Sequence, residues 1–195
     1  MNPELLIIVF PIGFAIHLYL CRKFETEPQK VKTLLLYIYL VFTILLYFSG
    51  ELNLRTLFYL ILGWSIVLID YQHHRIPNFI TGYFAVALFA IALIDHRVFD
   101  SAAGGAEFLS FFGLLAFATK LKIGFGDVKL AGVIGMIVGM ATFQELINYI
   151  LLAAILGLFS LLANPKGIRL KAQIPFAAPM IAASLVIWPM LHMKG

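Results

Sequence analysis

Apolar stretches, separated by short groups of charged and turn residues, run through this chain from one end to the other. Hydrophobic residues make up 62% of the sequence and charged residues only 12%, whereas a soluble domain is about half apolar and roughly a quarter charged. The mean hydropathy is +0.98. This composition predicts an all-α helix bundle that spans a membrane, because helices satisfy their own backbone hydrogen bonds in lipid.

The spacing of the apolar stretches predicts about eight transmembrane helices in a single domain, residues 1–195. Several stretches are shorter than the roughly 20 residues of a perpendicular span, so we expect them to include flanking polar residues or to thin the bilayer. We expect the segment from Asp95 to Glu107 to be a flexible link. The predicted spans are Leu5–Leu20, Thr33–Ser49, Thr56–Ile69, Phe79–Ile94, Phe108–Thr119, Val128–Phe143, Leu146–Ala163 and Ile174–Leu191.

The basic residues predict the orientation of this bundle. If the amino terminus lies outside, eleven of the fourteen lysines and arginines fall on the cytoplasmic side, and Arg55, Arg97 and Lys194 fall outside. The excess of positive charge on cytoplasmic loops favours this orientation, with both termini outside. Topology also accounts for the net charge of +4, so we expect contact with membrane lipid and no nucleic-acid partner.

Two aspartates lie beside apolar stretches, at the face that this topology places in the cytoplasm. Asp70 ends one stretch, and Asp127 follows Gly124 and Gly126 just before another. A carboxylate beside the hydrocarbon layer costs free energy, so such residues are usually kept for function. Two carboxyls that share one proton can take a proton from water and give one to a peptide carbonyl. The pair therefore predicts peptide hydrolysis with no metal and no cofactor.

Helix dipoles predict an asymmetry between the two carboxyls. Asp70 lies at the carboxyl end of its predicted helix, where the dipole disfavours negative charge, and Asp127 lies at the amino end of its own helix. On this hypothesis Asp127 is the base and Asp70 is the proton donor. Gly124 and Gly126 suit a non-helical entry into the helix that follows.

Small residues further along the helix of Asp127 predict a packing face. Gly135 and Gly139 are four positions apart, and Gly132 lies one turn earlier. This spacing lets two helices pack backbone to backbone. We expect the face to hold Asp127 against its partner.

Three motifs, in order along the chain, resemble those of the type IV prepilin peptidases. Residues 124–130 read glycine, phenylalanine, glycine, aspartate, valine, lysine and leucine, which is similar to the glycine-x-glycine-aspartate signature of that family. Asp70, seven residues before Pro77, resembles the first motif. Residues 174–179 resemble the isoleucine-proline-phenylalanine-glycine-proline turn near the end. The three motifs lie within residues 56–191.

The resemblance implies an aspartic endopeptidase that removes the basic leader from prepilins or pseudopilins, in pilus assembly or protein secretion. Its site would face the cytoplasm, in a bacterial inner membrane or an archaeal cell membrane. By motif match, Asp70 and Asp127 are the catalytic pair. The residues that we expect to shape the site are Gly124, Gly126, Lys129, Pro77, Pro175 and Pro179.

The sequence departs from the family pattern at three places. Gln72 stands where many bacterial members carry a second acidic residue, and Ala177 stands where the last motif has glycine. A short segment from Cys21 to Lys32 replaces a cytoplasmic insertion whose paired cysteines bind zinc in larger members. We therefore predict cleavage without zinc. Methylation of the trimmed pilin stays an open question, because the sequence has no glycine-rich nucleotide loop.

The sequence leaves two alternatives open, an ion- or proton-coupled transporter and a non-catalytic assembly scaffold. Carboxylates inside a membrane bind protons or cations in carriers, and non-helical segments with glycine or proline occur there too. Against a carrier stand the lack of a detectable repeat and the placement of both aspartates at one face of the membrane. The sequence specifies neither the precursor that is cut nor the oligomeric state.

Overall fold

The computed structural model describes residues 54–120, 123–162 and 176–192. Within these ranges the chain forms six α-helices and no strand, as an all-α fold requires. The first two predicted spans and Pro175 lie outside the described residues. The helices are α1 (Leu54–His73), α2 (Asn78–Ile94), α3 (Val98–Ala118), α4 (Phe125–Val138), α5 (Phe143–Leu162) and α6 (Ala177–His192).

One helix of the described part of the chain is long and apolar enough to cross a membrane by itself. It is α3, which has 21 residues. The whole of α2 and the apolar parts of α5 and α6 are shorter. The topology of eight spans with both termini outside therefore stays a prediction.

The position of α3 corrects the predicted link between Asp95 and Glu107. We expected a flexible segment there because it contains Gly104 and Gly105, but the helix already begins at Val98 and both glycines are buried within it. In a helix, two adjacent glycines weaken the intrinsic propensity. Here they are explained by packing against a neighbouring helix.

That neighbour is α4, whose small-residue face is confirmed. A Cβ added to Gly104 would overlap the backbone of Gly139, and a Cβ added to Gly135 would overlap the backbone of Gly104. The two helices therefore pack backbone to backbone. The partner of the face is thus α3, not α1, which carries Asp70. Gly139, with a φ of 82°, also ends α4 earlier than we expected.

Helix α4 lies at the centre of the bundle. It contacts α1, α2, α3 and α6, and the side chains of Leu130 and Ile134 are fully buried in the common apolar core. Only four residues separate α1 from α2, three separate α2 from α3, and six separate α3 from α4, so consecutive helices run in opposite directions. The carboxyl ends of α1 and α3 therefore lie at the same end of the bundle as the amino ends of α2 and α4. We call this end the site end.

Candidate active site

A tight turn fixes Asp70 at the site end. The backbone N–H of His74 donates to the Asp70 carbonyl at 2.8 Å, and His74 has a φ of 48°, so α1 stops there. Pro77 follows in an extended conformation and accepts hydrogen bonds at its carbonyl from the first turn of α2. Because proline fixes φ and has no N–H, it suits the start of a helix. Asp70 thus lies in the last turn of α1 and is 6% exposed.

Asp127 lies in the first turn of α4. The backbone N–H of Asp127 donates to the Gly124 carbonyl at 3.0 Å, and Gly124 is extended. Gly126 is already helical, so the predicted non-helical entry is right at Gly124 and wrong at Gly126. Gly126 permits a close approach instead: a Cβ there would lie 3.0 Å from the Cβ of Ile76, in the turn after α1. The missing side chain thus brings α4 against the turn that follows Asp70.

Asp70 and Asp127 line the same cavity. Its volume is about 1110 Å³, slightly larger than the roughly 300–1,000 Å³ of small-molecule sites. The rest of the lining includes apolar side chains from two other helices, among them Phe112 of α3 and Ile150 and Ala153 of α5. The cavity thus combines two carboxyls with an apolar wall.

Burial changes the ionisation of both carboxyls. Both carboxyls lie beyond the ends of their predicted spans. Burial and, to a smaller extent, the negative charge of Asp70 raise the pKa of Asp127 to about 6, whereas a hydrogen bond with the Gly124 backbone opposes this increase. Burial also raises the pKa of Asp70, and the N–H of Ala177 and the charge of His74 oppose this increase. Two interacting carboxyls of this kind can hold a single proton between them.

Sequence reasoning missed one contact of Asp70. The backbone N–H of Ala177 donates to Oδ2 of Asp70 at 3.0 Å, and Ala177 is the first residue of α6. The amino end of α6, where the dipole favours negative charge, thus faces this carboxylate. The dipole of α1, on which the sequence-based prediction for Asp70 rests, has the opposite effect. The motif at residues 174–179 marked this segment as a turn, and nothing in its sequence pointed to Asp70.

The other predicted shaping residues relate to the cavity in different ways. Pro77 lines it directly. Lys129 is connected to it through Asn78, a lining residue whose Oδ1 accepts a hydrogen bond from the lysine Nζ at 2.9 Å. Pro179 is buried in the first turn of α6, where a missing N–H costs nothing. Pro175 lies outside the described residues.

Residues 56–162, just over half of the chain, match the type IV leader peptidase family. The chain belongs to this family. As a type IV leader peptidase it is assigned to the proteases, and both Asp70 and Asp127 lie within the matched residues. Members of the family are typically embedded in membranes, in agreement with the apolar α3. Neither a curated protein nor a solved structure matches the chain.

Proposed function

We propose that this type IV leader peptidase is an aspartic endopeptidase that removes the basic leader from prepilins or pseudopilins at the cytoplasmic face of the membrane. Asp70 and Asp127 are its catalytic pair. The observation that carries the proposal is that these two carboxyls, which belong to different helices, line one cavity. The transporter alternative receives no support from the family match.

The pair supplies both proton transfers that peptide hydrolysis needs. The ionised carboxyl takes a proton from water as the water oxygen attacks the scissile carbonyl carbon, and the protonated carboxyl gives its proton to the carbonyl oxygen. The roles then reverse. The carboxyl that gave its proton takes one from a hydroxyl of the tetrahedral diol, and the other carboxyl gives its proton to the leaving nitrogen as the C–N bond breaks. At the end, the pair again holds a single proton.

The surroundings of the pair support this substrate class. The apolar side chains of Phe112, Ile150 and Ala153 line the cavity and suit the hydrophobic helix that follows the leader of a prepilin. Arg75 and Lys129 also lie at the site end, as the positive-inside rule expects of a cytoplasmic face.

Cleavage of a precursor by purified protein in detergent tests the proposal. The substrate is a peptide with a basic leader that ends in glycine, followed by an apolar helix. Mass spectrometry identifies the new amino terminus and also detects any added methyl group. We expect Asp70→Asn and Asp127→Asn each to lower the rate by about 10²- to 10⁴-fold, because each removes one obligatory proton transfer.

Asp95→Asn is the matched control. Asp95 is exposed at the carboxyl end of α2, about 25 Å along that helix from the turn that lines the cavity. This variant should cleave at the wild-type rate. Size-exclusion chromatography establishes that each variant is folded and monodisperse. Wild-type cleavage by a folded Asp70→Asn or Asp127→Asn protein would contradict the proposal.

A further inference from the structure

The first turn of α6 is fixed by contacts with two other helices. The Ala177 N–H donates to Oδ2 of Asp70 on α1. Three residues further along, the Met180 carbonyl accepts a hydrogen bond at 3.2 Å from the hydroxyl of Tyr149 on α5. Both contacts are buried. This turn therefore has little freedom to move relative to Asp70.

We infer that the first turn of α6 is a third component of the site: its Ala177 N–H holds Asp70 as the ionised member of the pair, and Asp127 carries the proton. The inference rests on the proposed function and deepens it. It reverses the assignment that the helix dipoles of α1 and α4 predicted. Asp70 is then the base that takes a proton from water, and Asp127 is the acid.

Hydrogen bonding at Asp70 favours the charged form and opposes the effect of burial, which raises the pKa of this carboxyl. A buried carboxylate needs hydrogen-bond donors, and a donor to an ionised acceptor makes one of the stronger hydrogen bonds in proteins. The donor at Asp70 belongs to a helix start, so the α6 dipole adds to the effect. The Ala177 N–H has no hydrogen-bond partner within α6, because the first four amides of a helix have no carbonyl one turn earlier to bond to. Asp70 and Ala177 thus satisfy each other.

The surroundings of Asp127 favour the protonated form. Asp127 is partly buried and interacts with the negative charge of Asp70. These two effects raise its pKa although the hydrogen bond with the Gly124 backbone and the amino end of α4 favour the charged form. The other charged or titratable groups that share the cavity are His73, His74 and Arg75, which are exposed at the end of α1 and in the turn after it. Helix α2 contributes the uncharged Asn78 to the lining, and α6 contributes the Ala177 N–H to Asp70.

Tyr149 is a positioning residue in this arrangement. Its ring is fully buried and contacts Phe108 and Phe112 of α3, with centroids 5.2 Å and 6.3 Å away. Its hydroxyl then fixes Met180. Tyr149 thereby connects α3, α5 and the first turn of α6, and it acts on Asp70 only through the Ala177 N–H.

Titration of single carboxyls tests the inference without any cleavage assay. Infrared spectroscopy of Asp127→Asn follows Asp70, and that of Asp70→Asn follows Asp127, with the other aspartates removed by difference. We expect Asp70 to titrate at the lower pH. Ala177→Pro, added to Asp127→Asn, should raise the pKa of Asp70 by about one unit or more, because proline lacks the N–H. Ala177→Gly keeps the N–H and should leave the titration unchanged.

Proline is a suitable probe here because the first residue of a helix tolerates it. In the otherwise wild-type enzyme, Ala177→Pro should lower kcat roughly tenfold or more with little change in KM, and should move the acid limb of the pH–rate profile to higher pH. If Ala177→Pro does not fold, Tyr149→Phe replaces it. We expect a change of about two- to fivefold in kcat in the same direction, with exposed Tyr83→Phe as the control.

Two results would overturn the inference. One is an Asp127 that titrates below Asp70 in the single-carboxyl variants. The other is a folded Ala177→Pro, or Tyr149→Phe in its place, with the titration and pH profile of the wild type. A wild-type protein that cleaves no precursor would contradict the proposed function instead, and the titrations would still decide the role of α6.

Discussion

Asp127 stabilises the folded protein less when it is ionised than when it is protonated. Its pKa of about 6 in the folded protein exceeds the ordinary aspartate value of 3.8. The folded state therefore binds more protons than the unfolded state between these values, and the free energy of unfolding falls as the pH rises through this window. The ionised form of this carboxyl therefore lowers the stability of the folded protein.

We predict that Asp127→Asn is more stable than the wild type at pH 8, by about 2 kcal/mol, because asparagine has no charge to bury. The difference should shrink as the pH falls below 6 and be mostly lost near pH 4, where the wild-type carboxyl is protonated in the folded state and close to half protonated in the unfolded state. Thermal unfolding in detergent at the two pH values measures this. An equal stability difference at pH 8 and pH 4, or the same pH-dependent difference in Asp95→Asn, would show that the ionisation of Asp127 does not cause the effect.

The sequence predicted the two aspartates because charged residues beside apolar stretches stand out. It could not predict the contribution of Ala177. A methyl side chain carries no chemical signal, and this residue acts through its backbone N–H, whose partner lies on a helix that is distant in the sequence. Contacts of this kind depend on how the helices pack.

At the scale of the helices, Gly104 shows why sequence reasoning placed the start of α3 incorrectly. Adjacent glycines are typical both of flexible links and of close helix packing. Close packing requires a second helix opposite the glycine, whereas a flexible link does not. In the structure, Gly135 and Gly139 of α4 lie opposite Gly104, so close packing is the correct interpretation. The face on α4 was predicted, but its partner helix was not.

Two substitutions on α3 separate packing from helix propensity. Gly104→Ala should lower the free energy of unfolding by about 2 to 3 kcal/mol, because the added methyl group overlaps the backbone of α4. Gly113→Ala should raise it by about 0.5 to 1 kcal/mol, since no atom lies within 4 Å of its added Cβ and alanine favours the helix. Unfolding in mixed micelles measures both. Equal effects would contradict backbone-to-backbone packing of α3 and α4.

At the scale of the whole molecule, the bundle brings the ends of several helices together around one cavity. The spacing of the apolar stretches predicted short connections between consecutive helices, and these place Asp70 and Asp127 at one end of the bundle. The sequence predicted that the two aspartates form a pair, but not the contact between Gly126 and Ile76 that brings the non-consecutive α1 and α4 together. The catalytic account depends on this proximity.

Cross-linking measures this proximity directly. Cys21 is the single cysteine, so Cys21→Ser provides a cysteine-free background. Asp70→Cys and Asp127→Cys are introduced together and treated with a short bifunctional thiol reagent. The control pair is Asp95→Cys with Asp127→Cys, because Asp95 lies at the far end of α2.

The account predicts an intramolecular cross-link between positions 70 and 127, identified by mass spectrometry of the digested protein, and none in the control pair. A monofunctional thiol reagent establishes that each cysteine is accessible. If both cysteines of the 70/127 pair are labelled by that reagent and no cross-link forms, Asp70 and Asp127 do not share a site, and the proposed mechanism is wrong.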